Sequence, residues 1–270
     1  KLLLADVRVS NAPWGSTPQM LAVERLEVAV ALLPLLSRRV ELIEVALVAP
    51  VLTLETRGDG QRNWDWGRAA ATERTPDPAA AAPAICVGRV EMSRGTVVSR
   101  CDCGTATRVA IDRLTLRADD AAASVVAAFR GSVDDVAVDV SGTFGPLGDL
   151  VARRWPYPVA LAGTIAGQRA AIRAGLRSDG TRHAVEDLAL TYGATELGGR
   201  FAVDTGGARP KLLFDLDGAA LAAGGGPARA PAAGPAGPRQ STRLFPDTAI
   251  DLAPLSAVDA EGKLALRRLL

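Results

Sequence analysis

The chain has 270 residues, 48% hydrophobic and 23% charged, proportions that exclude wholesale disorder and leave room for one large or two medium domains. Its formal net charge is +1 and no Lys/Arg block is interleaved with aromatics, which argues against a nucleic-acid surface. Aromatic residues are only 4%, so Leu, Val and Ala must build whatever apolar surface the fold presents.

Residues 1–66 read as strands and turns. Leu2-Leu3-Leu4 runs into the alternating Val7-Arg8-Val9-Ser10, a strand that stops at the turn Asn11-Ala12-Pro13-Trp14-Gly15. Over 20–31 the signal is weaker, since Leu21, Arg25 and Val28 also fit one face of a helix. Leu26-Glu27-Val28-Ala29-Val30 favours a strand, followed by a short helical turn at Leu32-Leu33-Pro34-Leu35-Leu36. A long strand over 40–56, bent at Pro50, ends in the turn Arg57-Gly58-Asp59-Gly60 and leads to Asn63-Trp64-Asp65-Trp66. Trp64 and Trp66, two apart, share a sheet face; they either cap the end of a groove or, the favoured expectation, fill core. Residues 67–84, rich in Ala, Pro and Thr without periodicity, read as a linker.

Period two dominates residues 85–218. In Asp135-Val136-Ala137-Val138-Asp139-Val140-Ser141-Gly142-Thr143-Phe144 the larger apolar residues fall on even positions. The alternation recurs at Val159, Leu161 and Ile165, at Ile172, Ala174 and Leu176, and at Leu188, Leu190 and Tyr192. It returns at Leu197, Phe201 and Val203, then at Leu212, Phe214 and Leu216. Such segments are strands with one apolar and one polar face. Turn signals at Gly131-Ser132, Ala166-Gly167, Ser178-Asp179-Gly180, Gly193 and Gly206-Gly207 join them as hairpins. Residues 219–240 form a second, low-complexity linker, and 241–270 resume a patterned segment.

The fold class that follows is mainly β: an antiparallel, twisted sheet with few short helices. So many one-sided strands lack amphipathic helices to cover them. Either the sheet closes on itself as a sandwich or barrel, or it curls into an open groove with an apolar inner face. The residues on the apolar phase, and so the candidate lining of a groove, are Val136, Val138, Val140, Leu161, Ile165, Ile172, Leu188, Leu190, Phe201, Val203, Leu212 and Phe214.

No motif carries catalysis. The single histidine, His183, lies beside a turn, and no Gly-x-Ser-x-Gly elbow accompanies it. Arg57-Gly58-Asp59 reads as a hairpin turn, and Gly58-x-Gly60 lacks the third glycine of a dinucleotide site. Asp119-Asp120 and Asp134-Asp135 mark solvated strand ends and offer too few oxygens for calcium. Three cysteines, Cys86, Cys101 and Cys103, leave at least one thiol unpaired and supply no fourth metal ligand; one disulfide from Cys86 to either of the others fits an oxidising compartment. No catalytic residue, metal or cofactor is expected. The longest apolar run, residues 28–36, has nine residues including Pro34, well short of a bilayer span.

The order of motifs over residues 7–66 resembles the amino-terminal part of the AsmA family. It runs through Val7-Arg8-Val9-Ser10-Asn11, Trp14-Gly15, Leu26-Glu27-Val28, Leu32-Leu33-Pro34-Leu35-Leu36, Ile43-Glu44-Val45-Ala46-Leu47 and Pro50-Val51-Leu52-Thr53-Leu54-Glu55. Gly58-Asp59-Gly60 leading to Asn63-Trp64 is the most specific element. Gly142-Thr143-Phe144-Gly145, Leu161-Ala162-Gly163-Thr164-Ile165-Ala166-Gly167, Leu244-Phe245-Pro246-Asp247-Thr248-Ala249-Ile250-Asp251-Leu252 and Val258-Asp259-Ala260-Glu261-Gly262 resemble later family segments.

The resemblance implies a non-enzymatic periplasmic protein, related to TamB and the chorein-type bridge-like lipid-transfer proteins. Its groove would carry phospholipid acyl chains between inner and outer membrane. It also implies an inner-membrane anchor, expected upstream of Lys1, and envelope partner proteins. The alternative expectation is a structural or assembly scaffold for outer-membrane biogenesis, its concavity filled by its own side chains.

Overall fold

Alternating sequence becomes strand along the whole described chain. The structure, a computed structural model, describes residues 1–31, 41–65, 86–102, 104, 106–120, 122–207, 209–220 and 259–267. Among the described residues there are fourteen strands: β1 (Leu2–Ser10), β2 (Gln19–Val30), β3 (Glu41–Val48), β4 (Val51–Thr56), β5 (Cys86–Cys101), β6 (Ala106–Arg117) and β7 (Ser124–Val133). They continue with β8 (Val136–Pro146), β9 (Tyr157–Ile165), β10 (Gln168–Asp179), β11 (Arg182–Tyr192), β12 (Thr195–Asp204), β13 (Lys211–Ala220) and β14 (Asp259–Leu266). Among the described residues one short helix, α1 (Leu147–Val151), stands between β8 and β9. The protein is mainly β and mostly antiparallel. The chain divides into two compact units, Lys1–Ala171 and Ile172–Leu270.

In the first unit the strand order is β1-β2-β3-β5-β6-β7-β8-β9, and β4 pairs with β2 and β5. β3 and β4 are two halves of one bent strand. Ala49 takes a left-handed φ of 50° and Pro50 carries no N–H, so the ladder breaks between them. The 16-residue β5 runs parallel to both halves, and it accepts and returns the backbone bonds Ala49 N–H to Ser93 O (2.8 Å) and Thr96 N–H to Pro50 O (2.7 Å).

Register places apolar residues in unbroken transverse rows. One row runs Leu4, Leu26, Leu47, Met92, Leu114, Phe129, Val140. A second runs Val9, Leu21, Leu52, Val97, Val109, Val133, Val136. Along β7 the two rows fall on residues of one parity, 129 and 133, hence on one face. Along β1, β2, β5 and β6 they fall on opposite parities. Each of those strands therefore slips phase by one residue between the rows, at Asp6, Glu24, Arg94 and Asp112, with Ala49 doing the same between β3 and β4. Asp6 and Arg94 are also left-handed, at φ 51° and 55°. Extra residues of this kind bend a strand and sharpen its twist, and here they form one crease crossing the sheet. Arg94 and Glu24 meet on it at 3.3 Å.

In the second unit β11, β12 and β13 pair antiparallel in sequence order, and β14 joins β13 in parallel. Its rows run Val185, Phe201, Phe214, Gly262 and Leu190, Leu197, Gly218, Leu266.

Several expectations need correction. Gly131-Ser132 is not a turn but lies inside β7, where Gly131 pairs with Ile111 and Val138. The chain reverses at Asp134-Asp135, both left-handed (φ 46° and 67°), which matches the right-handed twist of the flanking strands. Residues 19–30 are strand throughout. The helical turn at 32–36, Trp66, the linker 67–84 and the segment 244–252 lie outside the described residues, as does 221–240 of the second linker.

Candidate functional site

The expected groove-lining residues fall on two apolar surfaces, one in each unit. In the first, Val136, Val138 and Val140 stand on β8 and Leu161 and Ile165 on β9. Val138 pairs with Ile165, Val136 with Val133, Leu161 with Gly142, and Val140 with Phe129 on one side and Gly163 on the other. All five are half-buried. The same face carries Leu26, Leu47, Met92, Leu114 and Phe129, which sequence reasoning did not assign. Their alternation was readable only strand by strand, because the phase slips break it.

In the second unit Phe201 pairs with Phe214, Val203 with Leu212, Leu190 with Leu197 and Leu188 with Gly199. Leu188 is buried; Ile172 on β10, Leu190, Phe201, Val203, Leu212 and Phe214 are half-buried. Among the described residues Met20, Val23, Ile111, Val125 and Tyr157 are buried, whereas Leu2, Ile43 and Leu264 stand more than half exposed.

Alternate positions are charged and paired. Arg130 meets Asp139 at 2.7 Å, Arg177 meets Glu186 at 2.9 Å, Arg200 meets Asp215 at 3.4 Å, and Arg89 pairs with Glu91. Such exposed pairs contribute about 0–1 kcal/mol each and mainly keep that side in water. A depression of about 470 Å³ in the second unit is lined by the row Ala184, Ala202, Leu213, by Phe201 and Phe214, and by the charged Arg182, Glu186, Arg200, Asp215 and Glu261.

A different arrangement stands in the first unit around Asn63, which is only 4% exposed. Its side-chain amide donates to Asn11 Oδ1 (2.9 Å) and Thr53 O (2.8 Å), and its Oδ1 accepts from Glu55 N–H (2.9 Å). Asn11 Nδ2 in turn donates to Glu55 Oε2 (2.8 Å), and Ser16 N–H to both Glu55 oxygens (3.1 Å each). Burial works to raise the Glu55 carboxyl, but the bonds from Ser16 and Asn11, with Arg100 nearby, hold it below its ordinary range. Every buried polar side-chain atom here has a partner. Two cation–π contacts flank the cluster, Arg57 over Trp14 at 5.6 Å and Arg62 over Trp64 at 5.8 Å. Trp64 is half-buried beneath Arg62 rather than core. This polar closure ties the 11–18 turn and the end of β4 together, and Ser16, Glu55, Arg57 and Arg100 also line a shallow depression beside it.

The remaining candidates behave as local structure. Arg57-Gly58-Asp59 forms a turn, with Gly60 N–H on Arg57 O at 2.9 Å. Asp120 accepts from Ala122 N–H and Asp134 from Arg108 N–H, each at 2.7 Å. His183 is exposed, its Nδ1 2.9 Å from Ser178 Oγ. Cys101 is disulfide-bonded. Among the described residues no group of three or more His, Cys, Asp or Glu is placed to hold a metal, and no helix is long and apolar enough to cross a membrane.

Residues 1–98 match the model of the AsmA family. No curated protein and no solved structure gives a significant match. The match spans β1 to β4 and most of β5, and so contains the bent strand, the Asn63 closure and most of the crease. The later motifs at 142–145 and 161–167 lie beyond it. The likeness to the AsmA family is thus carried by the amino-terminal part of the chain, residues 1–98.

Proposed function

We propose that the protein is a non-enzymatic carrier of phospholipid acyl chains between inner and outer membrane, acting in the periplasm and held to the inner membrane by an anchor outside this chain. The observation that carries the reading is the half-exposed apolar face. Rows such as Leu4 to Val140 are continuous over seven hydrogen-bonded strands, yet their side chains are not sealed away from solvent. Leaving that much apolar surface wet is unfavourable, and an acyl chain laid on it gains roughly 0.8 kcal/mol per methylene removed from water. The ion-paired positions of the opposite face keep the outside hydrated. The family match supports the envelope setting, and a disulfide at Cys101 fits an oxidising compartment.

Lipid extraction and mass spectrometry on the purified chain test this. Co-purifying phospholipid, displaceable by detergent, is the expected result. A protein free of lipid that also fails to take up a fluorescent acyl-chain probe contradicts it and favours a scaffold.

A further inference from the structure

Among the connections from β6 to β13, the one between β8 and β9 is the longest. β7–β8, β9–β10, β10–β11 and β11–β12 are each joined by two residues, whereas ten residues, 147–156, separate β8 from β9. These ten contain α1, whose Leu147 and Leu150 sit three apart on one side of the helix and are each 44% exposed. Arg153 and Arg154 follow, both exposed, and then the half-buried Trp155. Arg154 reaches back to Asp149 at 2.9 Å, while Arg153 makes no ion pair among the described residues, so the tip carries net positive charge.

The base of the tip is fixed. Tyr157 is buried and donates its hydroxyl to Gly145 O at 2.7 Å, its ring lying where a Cβ on Gly145 would stand. The apolar row Val125, Phe144, Val159 crosses β9 two residues from Tyr157. Exposed leucines on a rigid mount cannot be explained as core, and a fold that needed only a reversal here had the two-residue turn at hand.

We infer that the 147–156 tip is a membrane-contact element: Leu147, Leu150 and Trp155 enter the interface of an anionic bilayer while Arg153 and Arg154 engage its phosphates. Two leucines, a tryptophan and adjacent arginines are the residue types that partition to the headgroup boundary. The contact is weak and reversible, because so few apolar groups insert. The inference goes beyond the carrier reading, since docking at this tip asks nothing of the sheet face.

Flotation of the full chain with vesicles of phosphatidylglycerol and phosphatidylcholine, against phosphatidylcholine alone, is the test. The unaltered protein floats with the anionic vesicles, and Leu147→Glu/Leu150→Glu lowers the bound fraction by at least about tenfold. Arg153→Glu/Arg154→Glu removes the preference for anionic vesicles, and Val126→Ser, at an exposed position of β7 outside both surfaces, leaves flotation unchanged. Circular dichroism melting verifies the fold of each variant, with Leu147→Ser/Leu150→Ser as the substitute if the glutamates unfold the protein. Flotation of a folded leucine variant equal to the unaltered protein, or no flotation of the latter, overturns the inference. Loss of flotation in Val126→Ser alone would place membrane contact on the sheet instead.

Discussion

The strands β1–β6 and the hairpin strands β7–β13 reach the same paired-strand geometry by different means. In β7–β13 most neighbours are joined by two-residue turns, so pairing is local and register follows from turn chemistry. In β1–β6 the partners include β2 with β4 and the parallel pairs β3 with β5 and β4 with β5, which no short turn imposes. There, register is held by the bent strand at Ala49-Pro50 and by the buried Asn63 closure, whose hydrogen bonds span 8 to 52 residues. Where turns cannot fix a sheet, buried polar groups do, since each left unpaired costs more than it contributes when paired.

The largest effect that sharpens this contrast is at Asn63. Asn63→Ala strips partners from Thr53 O, Glu55 N–H and Asn11 Oδ1, and is expected to cost about 2–3 kcal/mol, read as a lower urea midpoint. A loss within error would mean that the parallel pairing alone holds β1–β6.

A smaller, pH-dependent effect is expected at Glu55. Its folded-state affinity for protons is below that of an unfolded glutamate, so its contribution is fully present above the unfolded value of about 4.3 and is lost as pH falls through the lower folded value. Glu55→Gln should therefore melt below the unaltered protein at pH 7, and the gap should shrink by pH 3. A gap that is constant with pH would show that the carboxylate's charge is irrelevant to the closure.

The smallest effect belongs to the hairpins. Arg130→Ala removes the exposed pair with Asp139 and should shift stability by less than about 1 kcal/mol, the shift fading in high salt. A loss as large as that of Asn63→Ala would erase the distinction between the two regions.

Legibility in the sequence follows the same division. Residues 135–144 declare a one-sided strand because each side chain's face depends on parity alone, and Pro50 declares a bend because proline lacks the donor a ladder needs. Gly131-Ser132 misled, since glycine and serine favour turns on average, while two consecutive left-handed aspartates did the turning. Asn63-Trp64 was visible as a motif, but its role was not, because Asn11, Thr53 and Glu55 become its neighbours only in the folded chain. The phase slips at Asp6, Glu24, Arg94 and Asp112 were hidden for a related reason: a one-residue slip in a single strand looks like noise until the neighbouring strands are aligned. α1, five residues long, is too short to display helical periodicity. For the candidate surface, residues on β8 to β13 were nameable from alternation, and those on β2, β3, β5 and β6 needed the register.

The central claim, that the apolar faces are open to lipid, is tested most directly by Val138→Asp and Leu190→Asp, one in each unit, with melting and bound lipid measured on the same samples. An open face hydrates a lone carboxylate when empty but cannot lay an acyl chain over it, so the variants should stay folded and lose lipid. Unfolding of either variant would show that its position is sealed inside a closed core, as burial of an unpaired charge requires. Folded variants that keep their lipid would equally contradict the account.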